Sequence, residues 1–137
     1  MVELPRELYD EIIAHSQEGW PNEVCGLIGG KGAPERAYRI ANADENPRIR
    51  YLMEPREQFE AMMDIEERGW DLYGIYHSHP SSEAYPSRTD RNLAFYPDAI
   101  YLICSLQDRE RPGLRAFTIV DDQVTEQQLR ITQTEPA

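Results

Sequence analysis

The stretch Y73-G-I-Y-H77-S-H79-P-S-S-E-A-Y-P-S87-R-T-D90 decides how the chain is read. Tyr73, Ile75, His77 and His79 alternate with Gly74, Tyr76 and Ser78, so a strand here sets both imidazoles on one face, two residues apart. That spacing suits two ligands on one cation. Asp90 follows eleven residues after His79, across a segment rich in turn formers (Pro80, Ser81, Ser82, Pro86, Ser87), and can fold back as a third ligand. The apolar run that leads in predicts a central strand over residues 70–79, with the ligand chemistry at its end.

Upstream, residues 5–16 predict a first helix, with Pro5 in its first turn and Leu8, Tyr9, Ile12 and Ile13 as an apolar stripe at helical spacing. His15, near the C-terminal end, reads as a histidine facing the helix dipole or solvent rather than a metal ligand. Gly19, Pro21 and Asn22 break the helix. Val24 to Gly30 (VCGLIGG) reads as a buried strand with Glu23 at its mouth. Residues 35–41 and 48–53 alternate like strands around the turn-rich Asn42 to Pro47, which predicts that they pair. Pro55 opens a second helix, with Phe59, Met62 and Met63 on one face, the two methionines as core filler rather than ligands, and Gly69 at its end.

Downstream, a short helix is expected from Ser87 or Thr89 through Phe95, then strands over residues 99–106 and 114–120 and a last strand or helix over 124–131. Residues 132–137 read as a loose tail, which places one domain at residues 1–131. The alternation of strands and helices predicts a mixed α/β domain built on a central sheet.

Composition narrows the function classes. A chain of 137 residues buries enough surface to stand without a structural metal, so a bound metal is expected to be catalytic. No apolar run approaches the roughly 20 residues that span a bilayer, and the N-terminus is too charged for a signal peptide, so a cytoplasmic protein with no membrane partner is expected. A net charge of -11 argues against a nucleic-acid partner, because phosphate binding rests on clustered cations. Cys25 and Cys104 lie in separate apolar segments and fit buried reduced thiols better than a disulfide framework.

Other zinc chemistries lack their parts. A barrel amidohydrolase with His-x-His takes about 250 residues. A nucleoside deaminase needs His-x-Glu and Pro-Cys-x-x-Cys, and a zinc finger needs closely spaced cysteines. His77, His79 and Asp90 with water in the fourth position match the open arrangement of catalytic zinc, which lowers the pKa of that water to about 7 and polarises a carbonyl. Such a site also wants a carboxylate that is not a ligand, for which Glu23 is the candidate, and a donor for the oxyanion, for which Ser87 is the candidate.

In this arrangement the residues resemble the JAMM (MPN+) metalloprotease family: Glu23 upstream, then His77-x-His79-Pro80, six residues, and Ser87-x-x-Asp90. PNEVCGLIGG, residues 21–30, also resembles the start of prokaryotic members. The resemblance implies a cytidine-deaminase-like α/β fold with a central mixed β-sheet flanked by helices. It implies Zn2+ held by His77, His79 and Asp90, Glu23 as general acid/base and Ser87 as oxyanion stabiliser. The implied reaction is hydrolysis of the peptide or isopeptide bond after a C-terminal Gly-Gly. Compact prokaryotic members resemble enzymes that act on ubiquitin-like sulfur-carrier proteins, including those that release cysteine from a carrier-cysteine adduct. A tail of two glycines suits a narrow groove beside a metal.

Blander readings stand beside this one. Ser87-x-x-Asp90 alone is a helix-capping pattern, and two histidines can be hydrogen-bonded core residues. MPN-type domains also serve as non-catalytic interaction scaffolds, but this chain keeps every polar residue of the motif.

Overall fold

In chain order the elements are β1 (Val2–Pro5), α1 (Arg6–Gly19), β2 (Cys25–Gly30), β3 (Arg36–Ile40), α2 (Pro55–Glu67), β4 (Asp71–His79), α3 (Arg88–Asn92), β5 (Ile100–Ser105), β6 (Gly113–Val120), β7 (Gln123–Gln127) and β8 (Leu129–Thr132). They are taken from a computed structural model that describes residues 1–133. Six strands form one mixed sheet in the order β3-β2-β4-β5-β6-β7, with β4 and β5 parallel and the other neighbours antiparallel. The expected α/β domain with a central mixed sheet and flanking helices is what forms.

Each face of the sheet buries its own apolar set. Leu27, Ile75, Ile103 and Phe117 face α2, which contributes Ala61 and Ile65. Ile28, Tyr76, Leu102 and Ala116 face α1, which contributes Ile12, with Val2 and Leu4 of β1 beside it. β1 pairs in parallel with β8 as a separate two-stranded ribbon. Among the described residues no helix is long and apolar enough to cross a membrane.

Several expectations need correction. Residues 48–53 are not a strand. The amides of Ile49 and Arg50 turn back onto the carbonyl of Asn46, so the segment spends its backbone donors locally. Its link toward β3 is one bridge, Asn42 with Met53. On α2, Phe59 is 64% exposed and Met63 40% exposed. The face that packs is set by Ala61 and Ile65, four residues apart, and it leaves the 59/63 pair pointing outward. Tyr73 does not share a face with His77, because the pairing of β4 with β2 slips between Ile28–Gly74 and Gly29–Leu72. The slip places Leu72 with the α2-side core and Tyr73 with the α1-side core. Gly74 fits the slip, since a β-carbon there would stand 2.8 Å from the carbonyl oxygen of Ile100.

α2 starts on Glu54, whose carboxylate accepts from the amides of Arg56 and Glu57, and it ends before Gly69 at φ 73°. Thr132, read as the start of a tail, closes β8 opposite Pro5. The rest of that reading, residues 134–137, lies outside the described residues.

Candidate metal centre

β4 is the strand best suited to carry rigid ligands. It is paired on both sides as far as His77, which lies opposite Cys25 of β2 and Ile103 of β5, and on the β5 side to its end, with His79 opposite Ser105. The amide of Leu106 then bonds the His79 carbonyl. Alternation puts His77 and His79 on the α2 side with Ile75, and both rings are buried.

Asp90 arrives from the other direction on α3. Ser87 caps that helix: its hydroxyl accepts from the Asp90 amide at 3.0 Å, and Asp90 Oδ2 accepts from the Ser87 amide at 2.8 Å. The capping reading is therefore correct, and the same carboxylate also meets the histidines. Asp90 Oδ2 lies 3.1 Å from His77 Nε2 and 3.0 Å from His79 Nε2, and the two Nε2 atoms are 3.1 Å apart.

The chemistry of this triangle suits a cation. His79 Nδ1 lies 2.8 Å from the Glu83 carbonyl, which can only accept, so the proton belongs on Nδ1 and neutral His79 turns a bare lone pair to the centre. Lone pairs of neutral His79 and Asp90 then face one another in a buried site, and a positive charge between them, whether a metal cation or a proton on Nε2, relieves the repulsion. Donors around tetrahedral zinc, at bonds of about 2.0–2.2 Å, stand roughly 3.3–3.6 Å apart, so a slight opening of the triangle accommodates it. His77, His79 and Asp90 are thus placed to hold a metal ion. Burial works against the charge on Asp90, but His77, His79 and the Ser87 amide outweigh it and hold the carboxyl well below the usual range. Burial also opposes the charge on His79, and its bonds to Asp90 and the Glu83 carbonyl raise its pKa all the same.

Glu23 leaves the chain just before β2 and is 6% exposed. Burial pushes its carboxyl from 4.5 up to about 8, with Asp90 and Asp44 adding to the shift and His79 opposing it. Among the described residues two buried side-chain polar atoms lack a hydrogen-bond partner, Glu23 Oε1 and His77 Nδ1. Both belong to this site. Buried polar atoms are normally satisfied, and their exceptions collect where chemistry or an ion accounts for them.

The remaining candidates fall out plainly. Cys25 lies in the floor of the α2-side core, its thiol donates to the Ile40 carbonyl, and burial pushes it up to about 12, which leaves it unreactive. Cys104 is free and lies in the opposite core, so the two thiols are not bonded. His15 is half-buried rather than simply turned to solvent. Its Nδ1 pairs with the Tyr76 hydroxyl at 2.7 Å on the α1 side, and burial lowers its pKa to about 4.

Sequence reasoning passed over two contributors. Ser78, between the histidines, points to the opposite face, where its hydroxyl accepts from the Val24 amide at 2.9 Å and its own amide donates to the Val24 carbonyl at 3.1 Å. That clamp ties β4 to the residue next to Glu23. Its signal was the small polar residue of His-x-His at an inward, buried position. Tyr51 lays its ring on His77 at 4.7 Å between centroids, and nothing local in the sequence announces it.

The chain matches the family described as prokaryotic homologs of the JAB domain over residues 5–120. It is 37% identical over 130 residues to a CysO-cysteine peptidase of Mycobacterium tuberculosis, covering 93% of this chain and 88% of that one. It is 37% identical over 120 residues to a probable TtuB-protein conjugate cleaving protease of Thermus thermophilus, covering 88% and 77%. A solution structure of a Desulfitobacterium hafniense protein superposes with a TM-score of 0.87 at 38% identity, over 98% of this chain and 94% of that one.

Proposed function

We infer a reaction from one premise, that the chain belongs to the prokaryotic JAB-domain family, the compact JAMM/MPN type. It is a hydrolase of that type. We assign to it zinc-dependent cleavage of the peptide or isopeptide bond that follows the C-terminal Gly-Gly of a ubiquitin-like sulfur-carrier protein. One observation carries the assignment: the buried triangle of His77 Nε2, His79 Nε2 and Asp90 Oδ2, with Glu23, whose Oε1 lacks a partner, near enough to interact electrostatically with His79 and Asp90. The substrate class is supported by the relatives, one named for CysO-cysteine and one for TtuB-protein conjugates.

Each residue then has a task. His77, His79 and Asp90 hold the ion, with Glu83 and Ser87 fixing the orientation of two of the three. Zinc bound there supplies the Lewis acidity that activates water and polarises the scissile carbonyl. Glu23 takes a proton from the attacking water and delivers it to the departing amine, so the products are a carrier ending in a free Gly carboxylate and cysteine, or a lysine side chain. A carboxyl raised toward neutrality can hold that proton between the two steps, a contribution of about 10²–10⁴ in rate. Ser87 accepts from Asp90 and so keeps its own hydroxyl proton to donate to the developing oxyanion.

The test uses zinc-loaded protein and two substrates, a Gly-Gly-ended carrier bearing C-terminal cysteine and the same carrier joined through an isopeptide bond to lysine. Both are followed by intact mass, with Glu23→Gln as the blank. Loss of cysteine alone makes the chain a carrier-cysteine peptidase, and release of lysine makes it a deconjugating isopeptidase. Retention of both adducts with zinc bound leaves the non-catalytic scaffold.

A further inference from the structure

Glu23 precedes β2, and its own backbone groups are satisfied outside the sheet. Its amide donates to the Pro47 carbonyl at 2.6 Å, and its carbonyl accepts from Asn42 Nδ2 at 2.9 Å. Both partners belong to the turn-rich residues 42–47, which open the loop that runs on to Met53. Asn42 is the hub of that loop. Its Nδ2 also donates to the Arg50 carbonyl at 3.1 Å, and its Oδ1 accepts from the amides of Asp44 and Leu52, each at 3.0 Å. A side-chain amide has two donor hydrogens and two acceptor lone pairs, and here all four are used. The assignment of nitrogen and oxygen follows from the partners, two carbonyls on one side and two amides on the other.

Resting on the reading of Glu23 as general acid/base, we propose that Asn42 is a positioning residue that sets the place of Glu23 at the metal triangle. The clamp between Val24 and Ser78 fixes the chain one residue later, so the Asn42 bond supplies the second point that stops Glu23 from swinging about the first. The loop closed by Asn42 also brings the Tyr51 ring onto His77, so one amide holds the acid/base and braces a ligand. Misplacement of a catalytic group by about 1 Å costs roughly 100-fold in rate.

Two variants separate this role from loop stability. Asn42→Asp keeps both acceptors, for Asp44 and Leu52, and loses both donors. Asn42→Ala loses all four bonds. Amide hydrogen exchange on metal-free protein reads the positions without any substrate. In Asn42→Asp the Asp44 and Leu52 amides stay as protected as in the parent, while the Glu23 amide, whose bond to the Pro47 carbonyl depends on Asn42 tying the Glu23 carbonyl to the same loop, exchanges about tenfold faster. In Asn42→Ala all three exchange faster. In the zinc-loaded protein acting on the carrier-cysteine adduct, Asn42→Asp lowers kcat about 10- to 100-fold, with KM within about twofold and zinc per chain unchanged.

Glu23 exchange at the parental rate in Asn42→Asp overturns the proposal. So does parental kcat alongside faster exchange, and so does loss of zinc. A parent that cleaves neither adduct refutes the proposed reaction instead, and the exchange contrast still decides whether Asn42 holds Glu23.

Discussion

Glu23→Gln should make the metal-free protein more heat-stable, and increasingly so as the pH rises. The side chain keeps its shape and loses only its ionisation. In the unfolded chain the carboxyl ionises near 4.5, and in the fold near 8, chiefly because burial penalises the charge. Below about pH 4.5 both states hold the proton and Glu23 costs nothing. Between 4.5 and 8 the unfolded state gives up its proton more readily, so the parent protein loses stability across that window and levels off above it. At about 1.4 kcal/mol per pH unit the ceiling is about 5 kcal/mol. We expect about half, because a carboxyl at a cleft draws in water as it ionises. For a chain of this size that is a melting difference of roughly 10 °C at pH 9, shrinking toward nothing near pH 5. The assay is thermal denaturation of chelator-treated parent and variant at pH 5, 7 and 9. Metal is removed because a cation at His77, His79 and Asp90 would favour the carboxylate and hide the effect. All other titrating groups are shared by the two proteins, so the difference isolates Glu23. A melting difference that stays flat over the three pH values would show that Glu23 is not held in a desolvated place.

Asp90→Asn should weaken zinc binding by more than the 10–100-fold expected of an outer partner, while the parent gains about 2.7 kcal/mol of stability when zinc stands at a hundred times its Kd; metal titration followed by melting reads both, and undiminished zinc affinity would remove Asp90 from the ligand set. Ser87→Ala removes a helix cap and the proposed oxyanion donor together, so a stability loss of about 1 kcal/mol should accompany a fall of about 10²–10³ in kcat with zinc retained. A fall in stability alone would leave Ser87 as a cap only. Gly26→Ala places a β-carbon 2.2–2.5 Å from the Tyr76 ring, so it should displace that ring, break its bond to His15 and cost about 1–3 kcal/mol, visible as a lower denaturation midpoint.

Much of the site was legible because its residues sit where local rules are strongest. Two histidines at alternate positions on an apolar strand share a face whatever the fold. Ser87-x-x-Asp90 reads as a cap because a hydroxyl and a carboxylate three residues apart reach each other's amides in a first helical turn. What escaped was decided by contacts distant in sequence. β1 is four residues long, and its partner β8 lies at the other end of the chain. The slip at Gly74 depends on how β2 aligns against β4, which no periodicity within β4 reveals. The burial of Glu23 was invisible for the same reason, since its surroundings come from residues 42–53 and from the ends of β4 and α3. The alternation at residues 48–53 misled because it resembled a strand while the edge of β3 stayed without a second neighbour.

The metal triangle joins one rigid half to one conditional half. His77 stands where the strand is paired along both edges and His79 where it is paired to β5, so their place follows from the sheet. Asp90 stands on α3, whose five residues are far too few to be helical on their own. What fixes α3 is the exchange of bonds between Ser87 and Asp90, with Arg91 reaching the Pro86 carbonyl and Asp122. Asp90 Oδ2 is at once the acceptor that closes the cap and the atom that faces both imidazoles. A carboxylate oxygen has two lone pairs, so one can serve the Ser87 amide while the other serves the ion. An ion held there would therefore couple its binding to the order of the segment that follows His79, whereas the six-stranded sheet buries apolar residues on both faces. On the proposed reading, a sheet built on apolar burial carries a site whose third donor, Asp90, is set by the shortest helix among the described residues.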